Sequence, residues 1–222
     1  MSDKQIYLSA EFKTRFPEYR NISIQADVVN RGQDEELWRE MQDASATIRT
    51  TITIEDIKHI PAIAATRNAY KRSGKDPNRY RPSAEALMRR IVKGEELYRI
   101  SVLVDLINLV SIRTGYSIGG FDASKICGDV TIGIGRHEEK FEAIGRGVLN
   151  IENLPLLRDD KGGIGTPTSD EERTKLTPDT TEILIVINGY SGEEGLQEAA
   201  DMTCSLLRKY ASAANIRQQR CV

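Results

Sequence analysis

The sequence predicts an α+β fold, on three observations. Apolar residues recur at helical spacing through most of 34–113. After Gly115 the chain turns to glycines and short β-branched runs. An amphipathic helical pattern from about Glu193 to Ala213 follows near its end. The 222 residues fit one large domain or two small ones, with length enough to bury a core. No clear linker, repeat or low-complexity tract divides them. One globular unit is therefore expected, with an N-terminal extension over 1–60 packed on a domain over 61–222.

In chain order, NISIQADVV at 21–29 alternates apolar and polar residues, the period of a half-buried strand. Leu37, Trp38 and Met41 fall at helical spacing behind Asp34, which predicts a helix over 34–46 with Asp34 as N-cap. TIRTTITIED, 47–56, is β-branched and reads as extended or as a loop. Pro61 opens a helix to about Lys71, since its missing N–H has no partner in a first turn anyway; Gly74 stops it. KDPNRYRP is a turn-rich connector. Pro82 and Ser83 start the next helix, with Ala84, Leu87 and Ile91 as its buried stripe and Gly94 as its stop.

Residues 99–113 form a strongly apolar helix. Its thin polar stripe, Ser101, Asp105 and Asn108, needs partners, because an unpaired buried polar group costs on the order of 1–3 kcal/mol. Strands are expected at 130–135, 146–152 and 182–187, the last a continuous apolar run suited to a central strand. Residues 158–180 are polar and read as a long loop. The closing helix lines one face with Leu196, Ala199, Thr203, Leu206 and Tyr210.

Composition excludes some classes. A net charge of −2 gives no global pull toward polyanions, so such binding must be local. Cys127, Cys204 and Cys221 are scattered, form no C-x-x-C pair, and read as free thiols in a reducing compartment. The N-terminus has no apolar signal-peptide core, and runs such as ILIVI fall far short of the roughly 18 residues that span a bilayer. A cytoplasmic protein without a membrane partner is expected. His59 and His137 are the only histidines and neither has metal-ligand spacing, so no metal site is predicted. No G-x-S-x-G elbow occurs. KGGIGTPTSD at 161–170 lacks the G-K-[ST] of a phosphate loop and reads as a flexible loop; no cofactor is predicted.

One segment stands out. RNAYKRSGKDPNRYRPSAEALMRRI, 67–91, holds eight of the 31 basic residues and only Asp76 and Glu85 of the 33 acidic ones, so it is about +6. Two readings are open. The cations complement helix ends and pair internally, with Glu85 and Asp105 as candidate partners. Alternatively Arg67, Lys71, Arg72, Arg79, Arg81, Arg89 and Arg90 grip phosphates while Tyr70 and Tyr80 stack on bases.

The stretch YRPSAEALMRRIVKGEELYRISVLVDLINLVSIRTGYSIGGFD, 80–122, resembles the B3/4 domain family. That domain is the editing region of the phenylalanyl-tRNA synthetase beta subunit and also occurs in small stand-alone proteins. The likeness includes Arg67, Tyr70 and Lys71, Tyr80 through Arg90, Lys93 and Gly94, and Val104, Asp105 and Asn108. A Gly119-x-x-Asp122 turn and EEKFEAIG at 138–145 follow, and the whole spans roughly 60–212. The resemblance implies a β-sandwich-like core of mixed sheets flanked by helices. It also implies an activity: in the synthetase, this region binds the 3′ end of tRNA carrying tyrosine in error and hydrolyses the ester, a second sieve where one site rejects an isostere too weakly.

Carried over residue by residue, the pocket candidates are Asn108, Gly119, Gly120, Phe121 and Asp122. Three family positions differ. Ile107 stands for a threonine and Gly119 for a histidine. If Asp179 and Thr180 mark the family's D-T pair, about Val186 stands for the pocket glutamate. The resemblance thus implies tRNA or aminoacyl-tRNA, not DNA, as partner and, if the chain is an enzyme, an aminoacyl-tRNA deacylase. With no synthetase catalytic module, aminoacylation by this chain is not expected. The residues alone leave open a non-enzymatic module for a small amino-acid-like ligand or a protein, and they do not give the oligomeric state.

Overall fold

The computed structural model describes residues 3–221. In chain order its elements are β1 (Ile6–Leu8), α1 (Ala10–Arg15), β2 (Arg20–Asp27), α2 (Glu35–Thr51), α3 (Pro61–Arg72), α4 (Ser83–Val92), α5 (Val102–Thr114) and β3 (Ile118–Asp122). Then come β4 (Val130–Ile134), β5 (Glu142–Ala143), β6 (Gly147–Val148), β7 (Pro155–Asp159), β8 (Gly162–Gly165), β9 (Glu182–Gly189), α6 (Leu196–Tyr210) and β10 (Ala214–Cys221).

The apolar run of β9 explains the layering. Its side chains alternate between two faces and both are buried. Ile183, Ile185 and Ile187 join a core with α2, α4, α5 and α6. Leu184 and Val186 join a second core against Ile132 and Ile134 of β4 and Leu157 of β7. The fold is therefore α+β, with two four-stranded sheets face to face and helices over one of them. The inner sheet has the order β10-β2-β9-β3 and the outer sheet β1-β4-β7-β8. Every inner pairing is antiparallel; β1 with β4 is parallel. β2 lies inside the inner sheet, in register with β9 from Arg20↔Gly189 to Asp27↔Glu182, so the first 60 residues supply an interior strand. Among the described residues no helix is long and apolar enough to cross a membrane.

Local signals in the sequence map onto these elements. Asp34 caps α2, accepting from the N–H groups of Glu36 and Leu37 at 3.0 Å. Pro61 starts α3. Gly115 ends α5 at φ +81°, where an added Cβ would lie 2.8 Å from Ile60.

Four expectations are corrected. TIRTTITIED does not begin as extended chain: α2 continues to Thr51, because Ile48 lies on the buried stripe of Leu37 and Met41 and tertiary burial outweighs β-branched propensity. Only Gly147–Val148 of the strand expected at 146–152 pairs, and Val148 is exposed. The loop expected at 158–180 is largely structured. Residues 155–165 are the β7–β8 hairpin, whose glycines hide the alternation because they show no side chains to count. The Gly119–Asp122 turn is the strand β3. The edge strand β10 was not foreseen, since its exposed polar residues leave no apolar pattern.

Candidate functional site

Val104, Ile107, Asn108 and Ser111 of α5 recur at i, i+3, i+4 and i+7 and form one stripe. The stripe faces Ile118 and Gly120 of β3 and the turn 166–170 across a cavity of about 410 Å³. That volume is in the usual range for a small-ligand site, roughly 300–1,000 Å³. Gly120 permits the close approach of β3, since a Cβ there would lie 2.4 Å from Ile107 Cδ1.

The far wall is a tight turn. Thr166 Oγ1 accepts from the N–H groups of Thr168 and Ser169 at 3.2 and 3.1 Å. Ser83 at the start of α4 donates its N–H to Pro167 O at 2.8 Å, and Tyr70 and Thr168 share a hydroxyl hydrogen bond at 2.9 Å. The next residue is Asp170. Its carboxylate accepts the Gly120 N–H at 3.2 Å and has no cationic partner; Lys175, on the same wall, pairs with Glu172. The side chain borders the cavity but is otherwise enclosed, and an added Cβ on Gly165 would lie 2.8 Å from its Oδ1. Burial pushes the Asp170 carboxyl from 3.8 up to about 7, against the smaller opposing effect of the Gly120 hydrogen bond. The cavity thus holds one carboxylate poised between its two protonation states near neutral pH, beside the Asn108 amide, whose side chain makes no hydrogen bond to any described residue.

A groove of about 420 Å³ continues from this cavity and shares Ser83, Ile100 and Asn108 with it. Arg81, Arg89, Arg90, Lys93 and Arg146 line the groove, against Glu95 alone among acids. Glu85 lies beneath, 1% exposed, and serves three arginines: Arg67 at 2.8 Å, Arg81 at 3.6 Å and Arg89 at 3.7 Å. Five cations against these two carboxylates leave the groove electropositive.

The structure does not bring all the predicted residues together. Asn108 and Gly120 line the cavity. Gly119 and Phe121 belong to the opposite face of β3, and a Cβ on Gly119 would strike the Phe121 ring at 2.6 Å. Asp122 is a structural anchor: it accepts from Ser124 Oγ at 2.6 Å and Thr180 Oγ1 at 2.9 Å and pairs with Lys125, and these bonds hold its pKa low despite burial. Val186 lies in the core between the sheets. Of the basic candidates, Arg81, Arg89 and Arg90 line the groove. Arg67 is committed to Glu85 and Asn78. Arg72 pairs with Glu18 and lies over the Phe16 ring, away from the groove. Lys71 and Arg79 are exposed elsewhere. Tyr70 and Tyr80 are buried in a third apolar cluster with Phe141, Leu154 and Leu156, so neither ring is open to a base.

Asp105 is not the partner of these arginines. It accepts the Ile100 N–H at 3.1 Å, and burial raises its pKa from 3.8 to about 6. Sequence reasoning missed Asp170, Arg146 and Tyr98. The glycine cluster of KGGIGTPTSD, which ends on Asp170, was the available signal. Among the described residues no group of His, Cys, Asp and Glu side chains could hold a metal ion.

Residues 65–212 match the family model of the B3/4 domain. No curated protein matches the chain. Among solved structures, the chain is similar to an N-terminal fragment of the phenylalanyl-tRNA synthetase beta subunit from Pyrococcus horikoshii, with 16% identity and a TM-score of 0.53. The likeness covers 100% of this chain and 55% of that one, so the chain spans about half of its solved relative.

Proposed function

Because the chain belongs to the B3/4 domain family, we propose that it binds the aminoacylated 3′ end of a tRNA and hydrolyses the ester. The observation that carries this reading is the continuity of a largely apolar cavity with a cationic groove through Ser83, Ile100 and Asn108. Phosphates take the groove, where Arg81, Arg89, Lys93 and Arg146 supply charge. The amino-acid side chain takes the cavity, against Val104, Ile107 and Leu176. Asn108 is free to orient the acyl group. Asp170, with a pKa of about 7, accepts a proton from water at neutral pH. The hydroxide adds to the ester carbonyl, the bond to the ribose oxygen breaks, and the proton passes to that oxygen. Asp170 thereby fills the role of the family glutamate from a different element.

A second reading, a module for a free amino-acid-like ligand, is favoured by one observation: Glu85 engages three of the basic residues internally. The test is a deacylation assay. Purified protein is mixed with tRNAs charged with different amino acids, and release is followed against an Asp170→Asn control. Release that depends on Asp170 supports hydrolysis. Tight binding of free amino acids with no tRNA binding would favour the second reading.

A further inference from the structure

Among the described residues six large apolar side chains are well exposed, and three of them, Tyr98, Ile100 and Ile144, line the cavity or the groove. Single exposed apolar residues are ordinary. Tyr98 differs in how it is held. Leu97, beside it in sequence, is buried and anchors the segment between α4 and α5. The Arg90 guanidinium lies 4.4 Å from the Tyr98 ring centroid and covers one face. Arg90 is itself fixed, by an ion pair to Glu95 at 2.9 Å and by a hydrogen bond from Nε to the Glu96 carbonyl. The ring is thus held on one face while the residue stays 69% exposed. Lys93 and Arg146, which have no ion pair among the described residues, line the same groove, and Ile100 borders both groove and cavity.

We propose that Tyr98 is a stacking platform for an unpaired nucleobase, with Arg90 as the residue that positions the ring. A flat, pre-ordered aromatic beside a cationic track is the pairing that single-stranded nucleic acids need: charge for the backbone and a π face for the base. The inference rests on the aminoacyl-tRNA reading of the same site. It assigns to Tyr98 the base of the nucleotide whose ribose carries the acyl group. A rigid ring loses little freedom when the base arrives, so the contact falls on affinity with little ordering cost.

The experiment measures fluorescence anisotropy with two labelled RNA oligonucleotides. One ends in CCA, and the other is identical but abasic at its 3′-terminal position. Wild-type protein is expected to bind the intact oligonucleotide about tenfold more tightly than the abasic one, the lower part of the range for one base–aromatic stack. Tyr98→Ala is expected to bind both equally, at the weaker level, with an unchanged melting temperature because the ring is exposed. Tyr98→Trp should retain the preference. Equal wild-type affinity for both oligonucleotides, or an unaltered preference in Tyr98→Ala, overturns the platform. If Arg146→Glu still weakens both in that case, the groove reading survives alone. Binding of a polyglutamate peptide but of neither oligonucleotide would assign the groove to an acidic protein and overturn both.

Discussion

Gly120 donates its N–H to the Asp170 carboxylate across 3.2 Å, joining the β3 strand to the turn that closes the cavity. Among the described residues that hydrogen bond is the carboxylate's only one. It does not offset the loss of water, and the group rests near neutrality.

The first prediction concerns pH and stability. The folded-state pKa of Asp170 is raised, from 3.8 to about 7, so the folded state holds this proton more tightly than the unfolded state. Stability is highest below about pH 4, falls as pH rises from about 4 to about 7, and is constant above that as far as this group is concerned. Asp105, raised to about 6, adds a slope of the same sign. Asp170→Asn removes one of the two slopes. Its melting temperature relative to wild type should increase from pH 4.5 to about 7 and level off above that. Parallel curves would show that Asp170 is not perturbed.

Asn108 gives the second prediction. Its side-chain amide has no hydrogen-bond partner among the described residues and borders both cavity and groove. Asn108→Ala should therefore leave the melting temperature nearly unchanged, within about 0.5 kcal/mol of stability. It should weaken aminoacyl-tRNA affinity. A large loss of stability with intact affinity would make Asn108 structural.

The third prediction separates groove charge from charge elsewhere. Arg146 is exposed and has no ion pair among the described residues, so Arg146→Glu changes the groove alone. Affinity for RNA should fall and the slope of log affinity against log salt should decrease by about 1. Arg72→Glu, whose guanidinium lies over Phe16, should leave affinity unaltered. Equal effects of the two substitutions would mean that the protein senses only its overall charge.

Glu85 carries the fourth. It is a buried counter-charge for three arginines. Glu85→Gln leaves Arg67 without its ionic partner in a site where its side chain is 12% exposed. The expected cost is about 3 kcal/mol, read from denaturant unfolding. A change below about 0.5 kcal/mol would show that the cluster is a solvated surface feature.

Helices α2 and α4 were legible because each carried two agreeing signals, a periodic apolar stripe and a start or stop residue, Asp34 for α2 and Gly94 for α4; α3 had its Pro61 start and Gly74 stop, and the short α1 was not foreseen. The β9 strand was legible because both its faces are buried. The β7–β8 hairpin was not, because Gly163 and Gly165 make room for Phe141 and Phe121 and so display nothing themselves, while Gly162 takes the turn at φ +137°. The same holds at the site. Asn108 and Gly120 were found through the family motif. Asp170 was not, because what makes it special is its enclosure by β3 and β8, a tertiary property. Tyr70 and Tyr80 read as exposed stacking rings beside arginines, yet packing buried them and left Tyr98, 18 positions after Tyr80, exposed at the groove.

The central claim is that cavity and groove act as one site for an aminoacylated tRNA end. The measurement that tests it most directly is the affinity of the wild-type protein for one tRNA in three forms, at two salt concentrations. The forms are an amide-linked, non-hydrolysable aminoacyl-tRNA, the uncharged tRNA, and the tRNA trimmed of its single-stranded 3′ end. Affinity should fall in that order, and added salt should weaken every form. Equal affinity for the three forms, or no binding of any, would contradict the claim.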